Sequence, residues 1–168
     1  MIKKEYTFID LFAGAGGLSE GFIKAGFSPI AHIEMKQDAC NTLKTRSAFH
    51  YLKAQGKLSI YEDYLMNKVE GTDGSILWNQ VPPEVTNAAI CATIGEDTIN
   101  GIFKKVDALK GDKTVDIIIG GPPCQAYSIH GRATDKNSMQ DDYRNYLFES
   151  FCKVVEEFKP EVFVFENV

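Results

Sequence analysis

The opening of this chain constrains its fold more than any other stretch does. Residues 6–12 are mostly β-branched or aromatic, which predicts a strand, and the glycine-rich residues 13–17 predict a turn. Residues 18–25 have the apolar spacing of a short helix that ends before Gly26, and residues 27–34 are typical of a second strand. A strand, a glycine turn, a helix and a strand in this order predict a doubly wound α/β sheet with helices on both faces.

The same alternation returns in the second half of the chain. The further predicted elements are a helix at 37–45, a weak strand at 89–94, a strand at 115–119, a long polar loop at 128–144, a helix with Leu147 and Phe151 on its apolar face, and a last strand at 162–166. Residues 47–85 fit the alternation poorly and predict a largely helical insertion. We therefore expect one domain over residues 1–168, interrupted by a variable insertion at 47–85.

Composition and charge narrow the class of protein. With 168 residues, 44% hydrophobic and 24% charged, the chain is long enough for one soluble domain with its own core. No apolar run is long enough to span a membrane. The formal net charge of −5 argues against this chain, alone, binding a polyanion such as a nucleic acid.

The four cysteines lie far apart and show no metal-ligand spacing with the three histidines. We therefore expect reduced thiols in a cytoplasmic protein and no metal site. Cys40 and Cys152 fall in predicted helices and are expected to be buried, whereas Cys91 is expected to be inert.

Cys124 follows the strand predicted at 115–119 through the stiff turn Gly120-Gly121-Pro122-Pro123. A thiol on a rigid loop at the end of a buried strand is well placed for nucleophilic chemistry. The alternative is that Cys124 is a small buried residue without chemistry.

Two carboxylates are predicted near the same crevice. If the first and fourth strands are neighbours, the glycine turn and the Pro-Pro-Cys turn face each other beyond the carboxyl ends of the strands. Glu34 ends the second strand at a distance that suits a ribose diol, and Glu166 ends the last strand near Cys124. Ser19 stands where the dinucleotide fingerprint has its third glycine, so a nucleoside cofactor without a pyrophosphate fits better than NAD or FAD.

Three sequence blocks together resemble the signature blocks of the DNA cytosine-5 methyltransferases. These blocks are Asp-Leu-Phe-Ala-Gly-Ala-Gly-Gly at 10–17, Gly-Pro-Pro-Cys-Gln-Ala-Tyr-Ser at 121–128 and Glu-Asn-Val at 166–168. Residues 144–148 match as well, and the resemblance covers residues 6–168 apart from the insertion. It implies a Rossmann-like S-adenosylmethionine-dependent methyltransferase fold, here truncated after the fifth strand.

The resemblance also implies roles for individual residues. Cys124 would attack C6 of a cytosine flipped out of the duplex, Glu166 would hold the N3 edge of that base, and Asn167 would orient the loop around Pro123. The implied cofactor is S-adenosylmethionine, which leaves as S-adenosylhomocysteine. Its implied binding residues are Asp10, Phe12, Ala13, Gly14, Gly16, Gly17, Glu34, Met35, Asp97, Pro122 and Leu147.

Within that set, Phe12 would pack on the adenine, Gly14 and Gly16 would admit the methionine part, and Glu34 would bind the ribose hydroxyls. Asp97 would meet the adenine amino group, with Asp107 as the alternative. Met35 stands where this family often has an aromatic residue.

The implied partner is double-stranded DNA, within a restriction-modification system. The family's target-recognition region has no counterpart in these residues, so we expect it in a C-terminal half or a second subunit and expect little activity from this chain alone. The last strand is typical of one buried on both faces, and without later elements it is predicted to be an exposed, hydrophobic sheet edge. The alternatives are an RNA cytosine-5 methyltransferase, a catalytically inactive cofactor-binding module and, more distantly, a nucleotide-dependent oxidoreductase.

Overall fold

A computed structural model of the chain describes residues 5–66, 74–122 and 147–166. They contain a five-stranded, all-parallel sheet in the order β3-β2-β1-β4-β5. The strands are β1 (Thr7–Leu11), β2 (Ser28–Glu34), β3 (Ala89–Cys91), β4 (Ile117–Gly120) and β5 (Val162–Phe165). The predicted Rossmann-like fold is confirmed, as is the expected pairing of the first strand with the fourth.

Helices cover both faces of this sheet. They are α1 (Gly17–Lys24), α2 (Gln37–Ala54), α3 (Leu58–Met66), α4 (Ser75–Trp78), α5 (Pro83–Asn87), α6 (Ile99–Lys110) and α7 (Leu147–Phe158). Phe8 of β1 packs on Phe22 of α1, with ring centroids 5.6 Å apart. The next residue, Ile9, shares a buried cluster with Val106 of α6 and Val154 of α7. Because successive strand residues point to opposite faces, α1 lies on one face and α6 and α7 on the other.

The second helix is longer than predicted. It continues past residue 45 to Ala54, because Ala48 and Leu52 extend its buried stripe and pack with Leu77 and Val81 in a second small core. The first part of the predicted insertion is therefore a continuation of α2.

The fourth strand begins two residues later than predicted. Asp116 is buried, and its carboxylate accepts a hydrogen bond from the backbone N–H of Thr7 at 2.8 Å. This side-chain contact ties the start of β1 to the segment before β4.

The exposure of β5 matches the prediction for a sheet edge without later elements, whereas the predicted burial of Cys152 is wrong. The side chains of β5 are 37–57% exposed, because β5 pairs only with β4 among the described strands. Cys152 is exposed, because α7 turns Phe151 and Val154 toward the core instead. Cys40 is fully buried, as predicted. Among the helices within the described ranges, none is long and apolar enough to cross a membrane.

Candidate active site

A cleft of about 280 Å³ opens at the carboxyl ends of the strands, where the strand order reverses between β1 and β4. This is the place where parallel α/β sheets bind their ligands. The cleft is lined by residues at or just after the ends of β1, β2, β3 and β4, by one residue of α2 and by the first residue of α7. They are Phe12, Gly14, Ile33, Glu34, Met35, Lys36, Ala39, Ala92, Thr93, Ile94, Gly121 and Leu147.

The glycine turn after β1 forms one wall of the cleft. Its backbone is left-handed at Phe12 (φ 59°) and at Gly14 (φ 54°). The Ala13 N–H donates to the Ile33 carbonyl at 3.0 Å, which fixes the turn to β2. A Cβ at Gly16 would lie 2.9 Å from Cδ2 of Leu43, so a glycine is needed for the turn to pack this closely on α2.

Glu34 forms the rim of the cleft between the first two strands. Its Oε2 accepts a hydrogen bond from the Gly14 N–H at 2.9 Å, and its Oε1 accepts one from the Lys36 N–H at 2.8 Å. The residue is only 9% exposed. Because an ionised carboxylate has about four acceptor positions, these two bonds hold its orientation and leave acceptor capacity for ligand hydroxyls.

A buried polar network lies behind the glycine turn and joins the elements on either side of it. The Ser19 hydroxyl donates to Asp10 Oδ2 and lies 2.9 Å from His32 Nδ1. When Asp10 is ionised, this pattern requires His32 to carry its proton on Nδ1 and to donate to Ser19. Asp10 therefore joins β1 to α1 and β2 behind the cleft, and it is not among the lining residues.

Burial decides the protonation of this network. It raises the pKa of Asp10 to about 7, with a further rise from the Glu34 charge and an opposing effect of the Ser19 hydrogen bond. Burial also lowers the pKa of His32 to about 4, so His32 is neutral at pH 7.

The ends of β4 and β5 meet through two glycines. A Cβ at Gly120 would lie 2.6 Å from the Leu11 carbonyl oxygen, and a Cβ at Gly121 would lie 2.5 Å from Glu166 Oε2. The Glu166 N–H donates to the Gly120 carbonyl at 2.9 Å. The Glu166 carboxyl group therefore lies over Gly121, next to the start of the Pro122-Pro123-Cys124 segment.

The structure brings five of the predicted cofactor residues together in the cleft lining: Phe12, Gly14, Glu34, Met35 and Leu147. Pro122 follows Gly121 directly. Ala13 and Gly16 pack toward α2, Gly17 begins α1, and Asp97 is exposed in the turn before α6, apart from the lining. Asp107 is exposed on α6. Pro123, Cys124, Asn167 and the predicted loop at 128–144 lie outside the described residues.

Sequence reasoning missed the partners of Asp10. Ser19 stands out in the sequence only for the glycine it replaces, and His32 carries no local signal because its partner belongs to another element. Among residues 5–66, 74–122 and 147–166, no group of three or more His, Cys, Asp or Glu side chains is arranged to hold a metal ion.

A larger cavity, of about 500 Å³, extends from the α1–α2 contact along β2. Its lining includes Glu20, Arg46 and His50, and the Glu20 carboxylate already contacts the other two side chains. Glu20 lies 2.9 Å from His50 and 3.5 Å from Arg46. The smaller cleft is therefore the candidate ligand site.

Comparison with known proteins agrees with this geometry. The sequence model of the C-5 cytosine-specific DNA methylases matches residues 6–68 and 88–168. The chain is 41% identical to the type II methyltransferase M.Bpa9945I of Bacillus paralicheniformis, over 95% of this chain and 40% of that protein. It is 30% identical to the type II methyltransferase M1.HphI of Haemophilus parahaemolyticus, over 96% of this chain and 32% of that protein. The chain thus spans less than half the length of these two relatives.

Proposed function

We infer the activity from the family: the chain belongs to the C-5 cytosine-specific DNA methylases. We propose that it carries the cofactor site and the reacting thiol of an enzyme that methylates C5 of cytosine in DNA, within a restriction-modification system of the cytoplasm. The observation that carries this proposal is the single cleft that gathers Phe12, Glu34 and Leu147 beside Gly121 and the Glu166 carboxyl group.

The cleft suits S-adenosylmethionine, which supplies the methyl group when it is bound. Glu34, held by two backbone amides, offers acceptor positions to the ribose hydroxyls. Phe12 and Leu147 offer apolar surface to the adenine ring, and Gly14 leaves space beside the turn because nothing lies within 4 Å of a Cβ built there.

The base chemistry is assigned to Cys124. Its thiolate would form a bond to C6 of the flipped-out cytosine, which breaks the aromaticity of the ring and makes C5 nucleophilic. After C5 is methylated, loss of the C5 proton and expulsion of the thiolate restore the ring.

Glu166 and Asn167 would position the reacting base. Glu166 lies next to Gly121, three residues before Cys124 in the sequence, so its carboxyl group can hold the N3 edge and stabilise the charge that develops on the ring. Asn167 would orient the loop around Pro123.

We propose that another part of the enzyme recognises the DNA target sequence, either a C-terminal half or a second subunit. The net charge of −5 does not suit a phosphate-binding face, and the exposed apolar β5 offers an edge for more structure to cover. Alone, the chain should methylate duplex DNA poorly.

Calorimetric titration of the chain with S-adenosylmethionine tests the cofactor site. We expect the parent chain to bind S-adenosylmethionine and not NAD. In Glu34→Gln the affinity for S-adenosylmethionine should fall about 10- to 100-fold, because a hydrogen bond to a charged group is worth about 1.5–3 kcal/mol. Glu156→Gln, an exposed residue of α7, is the matched control and should bind like the parent. A chain that melts cooperatively yet binds no S-adenosylmethionine would contradict the assignment.

Methyl transfer is best tested in a chimera that joins this chain to the remainder of M.Bpa9945I. We expect radiolabelled methyl transfer to duplex DNA and its loss in Cys124→Ser. Transfer to RNA instead of DNA would favour the RNA alternative, and unchanged transfer by Cys124→Ser would refute the covalent mechanism.

A further inference from the structure

Two thiols point to two successive backbone carbonyls at the end of β2. The Cys40 thiol donates to the Glu34 carbonyl at 3.2 Å, and the Cys91 thiol donates to the Met35 carbonyl at 3.8 Å. Both thiols therefore lie against the same short stretch of backbone, Glu34 and Met35. Sequence spacing did not indicate this pair, because the two cysteines lie far apart in the chain and belong to different elements.

The packing of α2 on β3 brings them together. Ala89 and Cys91 point to the same face of β3 because they are two residues apart. Leu43 of α2 packs with Ala89 in a buried cluster. Since α2 runs against the direction of the strands, Cys40, one helical turn before Leu43, lies on the Cys91 side of that cluster.

The two thiols differ in access. Cys40 is fully buried, and burial, with a smaller effect of the Cys91 thiol, raises its pKa to about 12. Cys91 is exposed at the edge strand. An external reagent therefore reaches Cys91 first, because thiol exchange needs an accessible thiolate.

We propose that Cys40 and Cys91 form a reversible disulfide whose oxidant is a low-molecular-weight disulfide. The Cys91 thiolate attacks one sulfur of the reagent, so that a mixed disulfide forms and one reagent thiolate leaves. Cys40 then attacks Cys91 Sγ, and its proton passes to the second reagent thiolate as that group leaves. The two protein thiols are oxidised, and one reagent disulfide is reduced to two thiols.

The disulfide would act on the cofactor cleft. It removes the thiol donors from the Glu34 and Met35 carbonyls, and both of these residues line the cleft. Ala39 and Ala92, the chain neighbours of the two cysteines, line it as well. This consequence, which rests on the proposed function, is a lower affinity for S-adenosylmethionine in the oxidised chain.

The test equilibrates the intact chain, in a Cys124→Ser background, with oxidised and reduced glutathione at set ratios. Peptide mass mapping should find a Cys40–Cys91 crosslink, and calorimetry should find S-adenosylmethionine binding weakened about tenfold and restored by dithiothreitol. Cys152→Ser removes another exposed thiol and should leave both results unchanged, whereas Cys91→Ser should abolish both.

Each adverse outcome has a distinct meaning. Glutathione adducts on Cys91 without a crosslink would overturn the disulfide. A crosslink with unchanged S-adenosylmethionine affinity would overturn its control of the cleft. If the reduced chain fails to bind S-adenosylmethionine, the result contradicts the proposed function and not the disulfide. Peptide mass mapping then still decides whether the Cys40–Cys91 crosslink forms.

Discussion

Gly120 and Gly121 carry two different steric requirements at the end of β4. At Gly120 a side chain would meet the backbone carbonyl of Leu11, which cannot move without disturbing β1. At Gly121 it would meet the carboxyl end of the Glu166 side chain, which can rotate away. Substitution at Gly120 should therefore cost stability, whereas substitution at Gly121 should displace a functional group.

Gly121→Ala should reduce methyl transfer in the chimera at least about tenfold, a barrier increase of about 1.4 kcal/mol, because Glu166 loses its place beside Pro122. Thermal unfolding should change little. Radiolabel incorporation and calorimetric melting measure the two effects.

Gly101→Ala is the matched control. Nothing lies within 4 Å of a Cβ at this exposed position of α6. It should keep activity and gain about 1 kcal/mol of stability, since alanine replaces glycine inside a helix. Full activity in Gly121→Ala would show that the position of Glu166 does not matter.

At the scale of elements, the Asp10–Ser19–His32 network joins β1, α1 and β2 and gives folding stability two opposing pH dependences. The raised pKa of Asp10 means that the folded state keeps a proton that the unfolded chain loses, so stability falls between about pH 4 and 7. The lowered pKa of His32 means that the unfolded chain binds the extra proton, so stability rises between about pH 4 and 6.5.

Asp10→Asn should reveal the pH dependence of folding stability that His32 contributes. At 1.36 kcal/mol per pKa unit, the contribution amounts to about 4 kcal/mol for Asp10 and about 3 kcal/mol for His32, so the two largely cancel in the parent. The free energy of unfolding of the variant should rise more steeply with pH from about 4 to 6.5, as measured by urea denaturation.

Asp38→Asn, which removes an exposed carboxylate from the first turn of α2, should follow the parent's pH dependence. A profile for Asp10→Asn that runs parallel to the parent's would mean that the Asp10 pKa is not raised in the folded chain.

The sequence predicts the elements better than it predicts their contacts. The β1–turn–α1–β2 unit, the adjacency of β1 and β4 and the placement of Glu34 followed from local patterns and the rules for parallel sheets. The length of α2 did not, because Ala48 and Leu52 are buried by helices distant in sequence. The Asp10 network and the Cys40–Cys91 contact likewise join side chains from separate elements, and no local pattern marks such pairs.

At the scale of the whole molecule, β5 is the exposed end of the described sheet. Its two faces differ. Phe163 and Phe165 contact Phe151 of α7, with ring centroids 6.1 and 5.0 Å apart. Val162 and Val164 point to the opposite face and are 53% and 37% exposed. A parallel edge strand with this much apolar surface favours pairing with another chain.

The purified chain should therefore self-associate through β5, and the double variant Val162→Lys, Val164→Lys should shift it toward monomer. Lysine at an edge opposes pairing by charge, and these two positions leave the Phe151 contacts of α7 in place. Sedimentation velocity over a range of concentrations measures the shift. Ile76→Lys is the matched control, since Ile76 is 54% exposed on α4, away from the sheet edge. Equal self-association in all three proteins would assign the contact to another surface. A monomeric parent would show that the exposed β5 edge does not drive self-association.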